Sequence, residues 1–177
     1  MVNMNSYFKH LTNLPVLPDK YIQEGLNANF ELVQRPNLFW CPSSFEETDF
    51  FKLLQERYKK CFVKYYLTHK NSYYDWHIDM NRGTGINWVI KTNPKAATFY
   101  RDPILSALPG GGLSPRFYNL TEVDYKLHNP TLLNTKFEHS VINNYPEERI
   151  IMSLSIMNNT QFDDVVHFLS QLEIESY

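Results

Sequence analysis

Asp75-Trp76-His77-Ile78-Asp79 decides how this chain is read, together with a distant partner, Phe137-Glu138-His139-Ser140-Val141. Both segments are rich in aromatic and β-branched residues, which favour strands. In an extended strand, residues i and i+2 share a face, roughly 6.6 Å apart along the chain. With 73–79 as a strand, the His77 imidazole and the Asp79 carboxylate converge on one point. His139 brings a second imidazole from a later strand-like run. Two imidazoles and one carboxylate make a metal site that leaves coordination positions open. A lone His beside an Asp is more often a surface pair or a hydrogen-bonded core group. The weight therefore rests on His139 and on Arg149, ten residues beyond it.

Outward from this pair, the chain has the two-residue period of strands. Cys61–Thr68, Tyr73–Asp79, Gly85–Lys91, Ala97–Arg101, Arg116–Tyr125, Thr131–Asn134, Glu138–Ile142 and Arg149–Met157 read as eight strands. Turns fall at 69–72 and at Met80-Asn81-Arg82-Gly83, and Asn93-Pro94 is a break. The run Pro109 to Pro115, with three glycines, reads as an irregular loop. Short strands with turns between them argue for a mainly β sandwich or jelly roll.

Residues 1–40 read as irregular apart from a short helix over Asp19–Ala28 behind Pro18. Ser44 followed by Glu47 matches a capping box. Phe50, Phe51, Leu54 and Tyr58 then recur at helical spacing, predicting one amphipathic helix over Phe45–Lys60 that packs on a sheet. The tail from Asn159 to about Leu172 reads as a helix capped by Asn159 or Thr160. The expected organisation is one domain over 1–177: helical support at 1–60, a β core at 61–157, and a C-terminal helix at 158–177.

The 177 residues are 43% hydrophobic and 15% aromatic, which excludes a disordered chain. A net charge of −2 with no Lys/Arg run argues against nucleic acid as partner. Cys41 and Cys61 show no CxxC spacing and read as two buried thiols in a reducing compartment. No signal-peptide pattern and no membrane-length apolar run is present. A soluble, cytoplasmic protein is expected.

Arg149 opens an apolar run, Arg149-Ile-Ile-Met-Ser-Leu-Ser155, that reads as buried. A buried guanidinium is costly unless an anion pairs with it. Either an acid such as Glu147 or Glu148 does so, or the far carboxylate of a dicarboxylate ligand does. The order HxD, then His-Ser-Val, then Arg at +10 resembles the 2-oxoglutarate/Fe(II)-dependent dioxygenases. The likeness is strongest to their small prolyl-hydroxylase-like and phage or bacterial members, and it covers about Cys61 to Met157. Ile86-Asn87-Trp88-Val89-Ile90 and the run from Asn129 to Val141 are further matching pieces.

The resemblance implies a double-stranded β-helix, cupin-like in shape, with Fe(II) held by His77, Asp79 and His139. It implies 2-oxoglutarate chelating the metal and reaching Arg149, with O2 as third reactant and succinate and CO2 as products. Tyr66, Tyr74 and Asn87 sit where relatives place further cosubstrate contacts. Asn87 is the strongest of the three, because an amide within an apolar strand needs a partner. Ile151 stands where some relatives share the carboxylate through a Ser. Ser153, one alternation further, is the nearest substitute. Ser155 stands where nucleic-acid demethylases have a second Arg. Asp75 is expected on the face of His77, near the pocket, and Glu138 is expected to point away from the metal. His10, His69, His128 and His167 read as unconnected with the site, and Arg82 and Arg101 as surface charges near loop ends.

The substrate implied is a peptidyl side chain such as proline, or a small metabolite, met by loops such as 103–116. Two other readings use the same residues. One is a cupin-like metalloenzyme without 2-oxoglutarate; the other is a non-catalytic β-helix binding module.

Overall fold

The strand-rich half of the sequence folds into two facing sheets. The computed structural model describes residues 6–32, 38–107, 113–157 and 160–177. In chain order the elements begin with β1 (Phe8–His10), α1 (Asp19–Leu26), β2 (Glu31–Leu32), β3 (Leu38–Pro42), a 3-10 turn (Ser44–Glu47) and α2 (Asp49–Tyr58). There follow β4 (Cys61–Thr68), β5 (Ser72–His77), β6 (Arg82–Lys91), β7 (Ala96–Ala107) and β8 (Leu113–Glu122). Last come β9 (Pro130–Asn134), β10 (His139–Asn143), β11 (Arg149–Met157) and α3 (Phe162–Ser170). One sheet runs β1-β9-β6-β11-β4-β3-β2 and the other β5-β10-β7-β8, with every pairing antiparallel. From β4 onward the chain passes back and forth between the sheets. This is the jelly roll, mainly β, that the sequence predicts.

Alternation sorts the side chains of the larger sheet into two sets. Val63, Tyr65 and Leu67, Ile86, Trp88 and Ile90, and Ile150, Met152, Leu154 and Ile156 face outward against the helices. Phe45, Phe50, Phe51 and Leu54, with Val165 and Leu169 of α3, cover them. Burial of each such side chain contributes about 1.5–3 kcal/mol. At Gly25 of α1 an added Cβ would come within 2.8 Å of Tyr65 and Ile90, so glycine sets how closely that helix seats. The opposite set, Lys64, Tyr66, Thr68, Asn87, Arg149, Ile151 and Ser153, faces inward to a cavity between the sheets.

The structure corrects several boundaries. The region read as irregular outside α1 supplies β1, β2 and the start of β3, strands of three, two and five residues. Such short strands show no period and are held by distant partners, β1 on β9 and β3 on β4. The helix expected over Phe45–Lys60 is broken at Thr48, which is extended (φ −70°, ψ 151°). Its Oγ1 accepts from Phe51 N at 3.1 Å and donates to Phe45 O at 2.8 Å, capping α2. Ser43 caps the 3-10 turn, while Ser44 donates to Glu24, so the Ser44–Glu47 capping box does not form.

The strand expected over Ala97–Arg101 extends to Ala107 through Pro103. Beyond Tyr100, among the described residues, β7 pairs with β8 alone, and an edge tolerates a residue without an N–H. Leu113–Pro115 belong to β8 rather than to a loop, and 108–112 lie outside the described residues. β8 ends at Glu122, leaving Tyr125 in a connection. α3 is preceded by Gln161 without a side-chain cap bond; Asn159 lies outside the described residues, and Thr160 bonds back to Met157 O instead. Cys41 is buried and Cys61 partly so; both are free thiols, pushed up to about 11 by burial. No helix among the described residues is long and apolar enough to cross a membrane.

The cap assignment is checked by denaturant unfolding. Thr48→Ala is expected to cost about 1–2 kcal/mol, and Ser44→Ala, whose hydroxyl is exposed, under about 0.5 kcal/mol.

Candidate metal centre

His77 ends β5 and His139 opens β10, and the two are directly paired across the smaller sheet. From Val141 to His139 the step on β10 is two residues, whereas the paired step on β5, Tyr74 to His77, is three. The extra residue is a bulge, a device that re-aims side chains. It brings Tyr74 and His77 onto the inner face together and leaves Asp75 exposed outside the cavity. Strict alternation predicts Asp75 on the face of His77, and the bulge overturns that expectation.

Asp79 lies two residues past the end of β5, so it is not placed by strand alternation as expected. Its backbone N–H donates to Thr135 O at 3.1 Å, which fixes the turn. Its Oδ1 then stands 3.5 Å from His77 Nε2. Ligand atoms of His77, Asp79 and His139 all lie within 4.8 Å of one another. The imidazole centroids of His77 and His139 are 4.3 Å apart.

Both imidazoles are oriented by backbone carbonyls. His77 Nδ1 is 2.7 Å from Asp75 O, and His139 Nδ1 is 2.9 Å from Phe137 O. Only an N–H can donate to a carbonyl, so each Nδ1 carries the proton and each Nε2 keeps its lone pair. Burial, followed by the neighbouring His77, pulls the His139 pKa down to about 4. A neutral, buried imidazole beside a carboxylate suits ligation of a divalent cation.

The triad opens into a cavity of about 280 Å³ whose lining includes the expected metal and cosubstrate residues His77, Asp79, His139, Arg149, Asn87, Tyr66 and Tyr74. Arg149 is only 1% exposed. Its Nη2 donates to Thr98 Oγ1 at 3.2 Å, and its Cζ lies 5.3 Å from the Tyr125 ring centroid. Its Nε and Nη1 meet no hydrogen-bond acceptor in good geometry among the described residues. The neighbouring acids are turned elsewhere, Glu147 to Lys91 at 3.7 Å and Glu148 to His69 at 3.4 Å. Among the described residues no carboxylate forms an ion pair with this guanidinium.

Asn87 donates from Nδ2 to Tyr125 Oη at 3.1 Å, while its Oδ1 is buried without a partner among the described residues. Tyr125 thus bridges Asn87 and the Arg149 face. Sequence reading missed it, because it lies in a connection with no period to mark it. The Tyr74 ring is 4.3 Å from that of His77, and burial raises the Tyr66 pKa. Arg82, read as a surface charge, turns into the cavity. Arg101 stays outside, 2.5 Å from both oxygens of Glu138 and between the rings of Trp76 and Tyr118. His128 has a left-handed backbone (φ 61°) and meets Ile90 O, apart from the cavity.

Several solved structures share this architecture. An oxidoreductase of the 2OG-Fe(II) oxygenase family from Burkholderia pseudomallei aligns over 81% of this chain and 81% of its own, with 9% identity and a TM-score of 0.52. HygX from Streptomyces hygroscopicus, solved with nickel, 2-oxoglutarate and hygromycin B bound, aligns over 85% and 83%, with 12% identity and a TM-score of 0.55. A Pseudomonas putida prolyl-4-hydroxylase aligns over 86% and 93%, with 10% identity and a TM-score of 0.56. At such identities the likeness is one of fold. No protein-family model and no curated protein sequence matches the chain.

The buried His139 has a consequence for stability. Its folded pKa of about 4 lies below the ordinary 6.5, so between these values the unfolded chain binds more protons. The metal-free protein is then fully stabilised above about pH 6.5 and loses on the order of 1–2 kcal/mol between pH 7 and pH 5. Urea unfolding at the two pH values checks this, and His139→Gln is expected to flatten the slope.

Proposed function

We propose that this protein is a 2-oxoglutarate- and Fe(II)-dependent dioxygenase that hydroxylates a small molecule or a peptidyl side chain such as proline. One observation carries the reading. A buried guanidinium, Arg149, lines the same cavity as the His-Asp-His triad and has no carboxylate partner among the described residues. A dicarboxylate bound to the metal at one end and to Arg149 at the other accounts for both features.

The residues present fit these groups. His77 and His139 offer Nε2 lone pairs of fixed tautomer, and Asp79 offers a charged oxygen, so three protein ligands leave positions for other ligands. The unpartnered Nε and Nη1 of Arg149 and Oδ1 of Asn87 are polar atoms in want of a ligand. Fe(II) bound here would supply the redox chemistry by which O2 and 2-oxoglutarate give succinate and CO2 while a substrate C–H becomes C–OH. The chain orients the reactants. Arg149 neutralises the distal carboxylate, Tyr66, Tyr74 and Asn87 border the cosubstrate, and Leu133, Val141 and Ile151 supply apolar wall that excludes water. HygX was solved with a small molecule bound and another similar structure is a prolyl hydroxylase, which supports the substrate classes named.

The roles separate experimentally. Arg149→Met removes an uncompensated buried charge, so the metal-free variant should unfold at an equal or higher midpoint than wild type. Its Mn(II)-loaded form should bind 2-oxoglutarate about 10–100-fold more weakly by calorimetry, the loss expected for a charge-assisted pair. Unchanged cosubstrate affinity removes Arg149 from this role. His77→Ala, Asp79→Ala and His139→Ala should each abolish substrate-independent succinate formation, and full activity in any of them contradicts the triad.

A further inference from the structure

Arg82 behaves unlike the surface arginine its place beside a turn suggests. β6 pairs with β11 through Thr84↔Ile156 and Arg82↔Met157, a step of two residues against one. The extra residue, Gly83, is a bulge. Without it Arg82 would share the outward face of Thr84 and Ile86; with it the side chain turns inward. There the guanidinium lies against Gly85. A Cβ at position 85 would stand 1.9 Å from Nη2, 2.6 Å from Cζ and 2.7 Å from Nε. Only a residue without a side chain leaves room for the arginine in this pose.

Two contacts define the pose. Nη2 donates to Ser153 Oγ at 3.1 Å. Nη1 lies 3.7 Å from Asp79 Oδ2. Nε is buried with no acceptor among the described residues, a cost that an arginine turned to solvent avoids. The return is at Asp79. That carboxylate stands beyond the end of β5, without a strand ladder to hold it. Its two oxygens face different groups: Oδ1 faces His77 Nε2 at 3.5 Å, and Oδ2 faces Arg82.

We propose that Arg82 is the positioning residue for Asp79, holding one carboxylate oxygen so that the other is presented beside the two imidazoles, and that Gly85 is the cradle this requires. The inference rests on the triad being a metal site. It also accounts for Ser153: that hydroxyl accepts from Nη2 of Arg82 while Nη1 faces Asp79. The sequence position that carries a second arginine in nucleic-acid demethylases is Ser155 here, and Ser155 pairs with Gly85.

The test is Mn(II) affinity, read from the electron paramagnetic resonance signal of free Mn(II), for wild type, R82K, R82A, G85A and R82A/G85A. R82A and G85A should each bind about 10–100-fold more weakly, the usual effect of removing a group that orients a ligand. R82K should fall between them and wild type. Because Gly85 matters only through Arg82, R82A/G85A should bind no more weakly than R82A, a complete failure of additivity. Millimolar guanidinium should restore part of the affinity of R82A, a rescue that a general packing defect does not show. If R82A fails to fold, G85A and R82K decide the matter by the same readout. Wild-type affinity in folded R82A or G85A overturns the inference, as do additive losses in the double variant. Wild-type protein that binds no Mn(II) overturns the metal-site reading, and this inference with it.

Discussion

A guanidinium held at 1% exposure without a carboxylate beside it is the constraint on which this structure turns. Arg149 is flanked by Glu147 and Glu148, yet these acids are turned to Lys91 and His69, and among the described residues it is Thr98 and Tyr125 that meet the buried charge. An uncompensated ion in a protein interior costs several kcal/mol. The surrounding sheet must supply that energy, and an anionic ligand would return it. The polar inner rows of the large sheet make sense in this light, since Thr68, Asn87, Ser153 and Arg149 would be a poor way to fill a closed core.

The architecture makes such an interior affordable by dividing labour between the two faces of one sheet. The outward rows of β4, β6 and β11 carry the aromatic and aliphatic bulk that packs on α1, α2 and α3. The inward rows are then free to hold chemistry. Fine placement comes from irregularities rather than from the regular ladder. One bulge in β5 turns Tyr74 and His77 inward together, and another in β6 turns Arg82 inward. The hydrogen bond from Asp79 N to Thr135 O sets the carboxylate where no strand does. Departures from ideal pairing near a ligand site are the expected pattern in β proteins.

Much of this was legible in the chain. Strands β4, β6, β9, β10 and β11 are long or apolar enough to announce their period, and the resemblance carried by His77, Asp79, His139 and Arg149 grouped residues that do line one cavity. What escaped is what periodicity cannot encode. β1 to β3 exist through pairing with partners far along the chain. The helix over Phe45–Lys60 was split by the Thr48 hydroxyl, which competes with the helix ladder for backbone partners. Asp75 was misjudged because a single inserted residue reverses every inside–outside assignment on its far side, and Arg82 because residues read as a turn, Arg82 and Gly83, belong to β6. Tyr125 lies in a connection, where only its contacts with Asn87 and Arg149 reveal it.

The most direct measurement is an anaerobic optical titration of the Fe(II)-loaded protein with 2-oxoglutarate. Bidentate chelation of the metal by the cosubstrate gives a weak visible charge-transfer band, and the account predicts that this band appears and saturates. Bound Fe(II) with no band at any 2-oxoglutarate concentration would contradict it.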